Sequence, residues 1–186
     1  MLPKEEINGK KMDNERGLVF VHTGNGKGKT TAALGLSLRA LGHGRKIFMV
    51  QFMKGQDYGE AMAAAKYLPG LTLYKCGRES FIRKGNLSPI DIALAQKGFA
   101  VAKDAVFSGK YNMVILDEIN VAVDFQLIPL ASVLELIKDK PESLYLGLTG
   151  RNAPAEIMEL ADLVTEMKEI KHHFSKGIPA QEGFEY

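Results

Sequence analysis

LVFVHTGNGKGKTT, residues 18–31, is the stretch that decides the fold. It opens on four apolar residues, Leu18-Val19-Phe20-Val21, a run that suits a strand buried on both faces of a parallel sheet. The run stops at a turn in which Gly24, Gly26 and Gly28 alternate with Asn25 and Lys27. Three glycines in five residues let successive backbone N–H groups turn inward without Cβ clashes and form an anion nest. Lys29, Thr30 and Thr31 then begin an Ala/Leu-rich helix over 29–41, ended by Gly42 and Gly44. The helix contributes its positive dipole end, Lys29 a full charge for a phosphate, and Thr30 a hydroxyl suited to magnesium. Strand, loop and helix agree on a phosphate loop.

Rival readings of the loop fit less well. In a dinucleotide fingerprint beginning at Gly24, the third glycine position is Lys29. The second strand would also end in Val50-Gln51-Phe52, with no acidic residue for a ribose. A purely structural glycine turn leaves Lys29-Thr30-Thr31 unexplained. The pattern G-x-x-x-x-G-K-[ST] places its first glycine where this chain has Thr23, so Gly24 comes one residue late. It is a phosphate loop with a shifted entry.

Outward from the loop, apolar runs alternate with helical segments. Strands are expected at 46–53, 71–74, 112–119, 143–149 and near 164–170, and helices at 60–68, 88–108, 129–138 and 154–163. Ser88, Pro89 and Asp91 make the clearest helix start, with a cap, a proline at the first helical position and an acid at the positive end. This alternation predicts an α/β fold, a mostly parallel sheet with helices on both faces. Ligands of such sheets bind beyond the carboxyl ends of the strands, where the glycine turn lies. Residues 1–16 are polar and read as a flexible or partner-dependent arm, and 17–186 as one domain.

Composition narrows the function. Twenty-four Lys and Arg against 22 Asp and Glu leave a net charge of +2, which argues against a nucleic-acid partner. One cysteine, Cys76, excludes an internal disulfide and a Cys-rich zinc site, and reads as a small buried hydrophobe. No apolar run is long enough to span a bilayer, and the N-terminus lacks the apolar segment of a secretory signal, so a cytoplasmic protein is expected.

A second chemical motif is the apolar run at 113–116 that ends in Asp117 and Glu118, resembling a segment in which an acid supports Mg²⁺. In a hydrolytic ATPase, Glu118 would orient a water. Arg151 follows the fifth strand at the loop's end of the sheet, where it suits either a phosphate clamp or an ordinary surface position. Arg39, ten residues past Lys29, reads by itself as a solvated helix position. His172 and His173 would point oppositely on an extended chain and read as structural or surface residues.

Taken together, TGNGKGKTTAALGLSLRALGHG, VQFMKG, ILDEINVA, LTGRNAP, ELADLVTEM and KHHFSKGIPAQEG, in that order, resemble the ATP:corrinoid adenosyltransferases. The resemblance covers the chain from about Val19 onward. It implies a RecA-like P-loop NTPase architecture, a homodimer, and transfer of the 5′-deoxyadenosyl group of ATP to the cobalt of a reduced corrinoid with release of triphosphate. It places Gly24, Asn25, Gly26, Lys27, Gly28, Lys29, Thr30 and Thr31 on the triphosphate, bound in reverse of the usual direction. Arg39 and Arg151 would lie around the nucleotide, and Thr30 and Glu118 near Mg²⁺, with Asp117 in the same acidic pair. Lys29 and Glu118 become the catalytic candidates. Phe81 is the candidate for a wedge beneath the corrin ring, or else a loop anchor, and the arm would cover the corrinoid. An external flavin-type reductase would supply electrons. Two other classes remain to be separated from this one: a P-loop ATPase or kinase that cleaves the terminal phosphate, and a non-catalytic carrier of corrinoid or nucleotide.

Overall fold

A computed structural model describes residues 16–56, 58–78, 84–85 and 87–185. Phe81 and residues 1–15 of the arm lie outside the described residues. Arg16, the last residue of the arm, is tied to the fold by an ion pair with Asp162 at 2.6 Å.

Six strands form one parallel sheet: β1 Val19–Thr23, β2 Ile47–Phe52, β3 Leu71–Cys76, β4 Met113–Asp117, β5 Tyr145–Thr149 and β6 Leu163–Glu166, in the order β3-β2-β4-β5-β1-β6. The helices are α1 Lys29–Gly42, α2 Gly59–Tyr67, α3 Pro89–Phe107, α4 Ile119–Asp124, α5 Leu130–Asp139 and α6 Ala155–Leu160, with a short 3₁₀ turn at His173–Lys176. This is the α/β architecture expected of the loop and its alternating elements. Among the described residues no helix is long and apolar enough to cross a membrane.

Side chains alternate across each strand, and both faces of the inner strands β1, β2, β4 and β5 are covered, which is why these read as unbroken apolar runs. Val19, Val21, Val114 and Leu116 join Phe99, Ala102, Leu136 and Ile157 in the core on one face. Phe20, Met113 and Ile115 pack with Ala33, Ala64, Ile47 and Leu71 on the other. The α3 start expected at Ser88 is a capping box, in which the Ser88 hydroxyl and the Asp91 carboxylate satisfy each other's backbone N–H groups. Asp91 also holds Arg78 through two hydrogen bonds, at 2.6 and 2.8 Å.

Several element boundaries differ from expectation: β3 runs on to Cys76, β6 stops at Glu166, α6 stops at Leu160, and α4 has no counterpart among the expected helices. The fourth strand, expected to run to Ile119, ends at Asp117. Glu118 adopts the left-handed conformation, φ 64°, and turns the chain directly into α4. Apolar residues continue through that turn, so the hydrophobic pattern shows no break.

Candidate functional site

Because all six strands run the same way, their carboxyl ends bring the loop, the acidic pair and the segment after β5 to one edge. Thr23, in the position of the missing first glycine, is the last residue of β1 and sits opposite Glu166 of β6. Its hydroxyl accepts the Ala153 N–H at 3.2 Å. The loop then leans on the continuation of β6, where the Gly26 N–H donates to the Met167 carbonyl at 2.6 Å. A Cβ on Gly24 would lie 2.5 Å from that carbonyl oxygen, and one on Gly26 2.7 Å from it. Gly24 is also at φ 91°. The shifted glycine is therefore required by two constraints together, the left-handed backbone and the closeness of β6.

Lys29 is buried, and its Nζ donates to the carbonyls of Gly24 and Gly26, each at 2.8 Å. Burial pushes this ammonium below its ordinary pKa, while the Glu118 carboxylate pulls it back up. Asp117 is fully buried and accepts four hydrogen bonds. Thr30 Oγ1 at 2.9 Å and Thr149 Oγ1 at 2.7 Å donate to Oδ1, while Gln51 Nε2 and Lys54 Nζ, both at 3.1 Å, donate to Oδ2. Register explains Gln51, which lies opposite Asp117 across β2 and β4.

Glu118 differs sharply from its neighbour. Its N–H donates to Thr149 Oγ1 at 3.0 Å, and its side chain lines the open cleft. Burial foremost, and then the adjacent Asp117 charge, push its carboxyl above the ordinary carboxylate range, against the pull of Lys54, Lys29 and Arg151. The carboxylate left free of hydroxyl and amide donors is thus Glu118, whereas Asp117 is an orienting group. By accepting the hydrogen bond from the Thr30 hydroxyl, Asp117 leaves the lone pairs of that oxygen available to a cation. Hard oxygen donors of this kind fit Mg²⁺.

These residues surround a cavity of about 370 Å³. Of the nucleotide residues expected from the sequence, Gly26, Lys27, Gly28, Lys29, Thr30, Thr31 and Arg151 line it, together with Glu118. Gly24 and Asn25 belong to the loop but not to the cavity wall. Arg39 is exposed in the last turn of α1, about 15 Å along the helix from Lys29 at 1.5 Å per residue, and does not line the cavity. Asn120 of α4 donates to the Gly150 carbonyl at 3.2 Å and so fixes the turn that carries Arg151.

Three parts of the wall were not anticipated. Lys54 and Glu60 approach from the segment after β2, paired at 3.3 Å. The C-terminal tail folds back onto the loop, where Glu185 pairs with Lys27 at 3.3 Å and the Phe184 ring lies 5.1 Å beneath the same ammonium. His172 also lines the cavity, and its ring stacks on His173 at 4.6 Å, rather than pointing away from it. His172, His173 and Glu185 lie close enough to suggest a metal cluster. However, imidazole lone pairs lie in the ring planes, and near-parallel stacked rings do not aim them at one point. Cys76 is buried, which pushes its thiol up to about 12 and makes it inert.

Comparison with known proteins identifies the family. A family model described as ATP:corrinoid adenosyltransferase BtuR/CobO/CobP matches residues 15–186. A corrinoid adenosyltransferase of Sinorhizobium sp is 40% identical over 185 residues, covering 98% of this chain and 86% of that protein. One from Pseudomonas aeruginosa is 39% identical, covering 93% and 85%. Corrinoid adenosyltransferase CobA of Salmonella typhimurium is 35% identical, covering 92% and 87%. With a family model matched over residues 15–186 and relatives 35–40% identical over more than nine-tenths of its length, the chain belongs to the ATP:corrinoid adenosyltransferases, a family of transferases.

Proposed function

We propose that the chain transfers the 5′-deoxyadenosyl group of ATP to the Co(I) centre of a reduced corrinoid, releasing triphosphate. The observation that carries this reading is a single cavity walled by the phosphate loop, Thr30, Glu118 and Arg151 in a chain of this family. The electron pair of Co(I) attacks C5′ as the C5′–O bond breaks, and the bonding electrons leave on the triphosphate. Cobalt is formally oxidised by two electrons. Co(I) is already a strong nucleophile, so no side chain has to be activated for attack.

What remains for the protein is alignment, exclusion of water and stabilisation of charge growing on the leaving group. Lys27 to Thr31 supply backbone N–H groups and the end of α1, and Lys29 and Arg151 supply charge. Lys29 would exchange the Gly24 and Gly26 carbonyls for phosphate oxygens. Thr30 and Glu118 would hold Mg²⁺, with Asp117 orienting Thr30; when bound, the ion would neutralise part of the triphosphate charge. Glu118 need not act as a base in this reaction. The family resemblance extends the reading to a homodimer with its arm over the corrinoid, an external flavin-type reductase, and Phe81 as the wedge below the ring.

Product analysis tests this directly. Protein, Mg-ATP and chemically reduced cobalamin are expected to give a light-sensitive Co–C bond and inorganic triphosphate in equal amounts. Lys29→Ala should lose the transfer even when Co(I) is supplied. Stoichiometric ADP and phosphate without alkylated cobalt would instead establish an ATPase or kinase.

A further inference from the structure

We infer that Lys54 is a second triphosphate-binding lysine, reaching the substrate from the segment after β2. The inference rests on the assignment of this cavity to ATP and adds a residue to it. Lys54 follows β2, lines the cavity, and has a side chain only 20% exposed. Its ammonium is held by Asp117 Oδ2 at 3.1 Å and by Glu60 Oε1 at 3.3 Å, and lies 5.6 Å from the centre of the Tyr58 ring. An ammonium has three N–H donors. Two carboxylates take two of them, leaving one for the cavity that Lys54 lines.

The position of that third donor follows from Asp117. Its Oδ1 accepts from Thr30, the residue next to Lys29 at the start of α1, and its Oδ2 accepts from Lys54. The Thr30 hydroxyl and the Lys54 ammonium are therefore separated by the span of one carboxylate. A phosphate chain that reaches Thr30 passes within reach of Lys54. Asp117 would be left well satisfied if Lys54 moved toward the substrate, because Thr30, Thr149 and Gln51 still donate to it. Gln51 also donates to Glu60 at 3.1 Å, so the partners that hold Lys54 are themselves fixed to one another. The side chain is thus aimed before substrate arrives.

A purely structural lysine, present to neutralise Asp117, would make a different prediction. Such a residue would affect the metal through Asp117 and Thr30, but would not touch phosphate. The separating experiment is calorimetric titration of the full chain with inorganic tripolyphosphate, in EDTA and again with Mg²⁺. In EDTA, Lys54→Met is expected to bind about tenfold more weakly than wild type, the loss of one charge-assisted hydrogen bond, and Lys54→Arg should recover most of the affinity. If Lys54→Met binds like wild type in EDTA while Lys29→Ala does not bind, the Lys54 assignment is overturned and the cavity assignment stands. If Lys29→Ala also binds like wild type, the phosphate-loop reading itself falls. A measurement on the wild-type chain covers variants that do not fold: tripolyphosphate should protect Lys54 from acetylation, read by mass spectrometry. Protection of Lys29 without Lys54 would overturn the proposal.

Discussion

Replacing Glu118 should make the protein more stable and less active. Two features of the site make this carboxylate costly. It follows the fully buried Asp117 and is itself held above the ordinary carboxylate range by burial and by that neighbouring charge. It also occupies the left-handed region at φ 64°, which costs a non-glycine residue roughly 1 kcal/mol or more. Glu118→Gln removes the charge and keeps the shape; Glu118→Gly removes both costs and retains an acceptable helix N-cap. A gain of about 1 kcal/mol corresponds to a Tm increase of about 2–4 °C in a domain of this size. Differential scanning calorimetry at pH 8 should show both variants above wild type, with the glycine variant higher. The sign of the pH dependence is fixed. A carboxyl raised in the folded state destabilises it when ionised, so the advantage of glutamine is present above the folded pKa and shrinks as acid protonates the wild-type group. Transfer with chemically reduced cobalamin should fall by about a hundredfold or more in both variants, on the scale of losing one preorganised electrostatic group. Variants less stable than wild type at pH 8, or a gain that persists unchanged in acid, would refute the reasoning.

Two further changes test other parts of the structure. Gly24→Ala places a Cβ 2.5 Å from the Met167 carbonyl and strains a residue at φ 91°, so it should detach the loop from β6; ATP titration should show at least about a tenfold loss of affinity, comparable to misplacing one or two loop donors. Asp91→Asn probes the α3 cap. The hydrogen bonds from Arg78 foremost, and then those from Ser88, hold the Asp91 carboxyl at about 2, so its stabilisation is present above the ordinary value of 3.8 and is lost as pH falls toward 2. Acid unfolding followed by circular dichroism should show the wild type losing stability across that interval, and the asparagine variant, already weakened near neutral pH, losing less.

The inner strands β1, β2, β4 and β5 were legible because they are largely buried on both faces, which leaves dense apolar runs. The start of α3 was legible for a local reason, since Ser88, Pro89 and Asp91 lie within four residues. The turn at Glu118 was not. Glutamate gives no local sign of a left-handed conformation, and the apolar pattern of β4 continues into α4. The distance of Arg39 from Lys29 follows from the helical rise, which separates the two by nearly three turns. Lys54 left two traces, its place just past the carboxyl end of β2 and its position within the VQFMKG run, but the contacts that define it lie on β4 and α2. The tail left none. Its pairing of Glu185 with Lys27 joins residues from opposite ends of the chain, and no periodicity records such a contact.

The docking of the phosphate loop on β6 bears on when this chain can first bind nucleotide. In many proteins such a loop is a local unit, complete once its strand and helix have formed. Here Gly24 and Gly26 close against Met167 and Lys168, residues translated long after them. A nascent chain that has made β1 and α1 therefore carries the motif without the site. Affinity for nucleotide would arise only as β6 joins the sheet edge, and so after the acidic pair and Arg151 are already present. ATP binding would then report completion of the sheet, and released chains truncated before β6 would fail to capture nucleotide although they contain the whole loop.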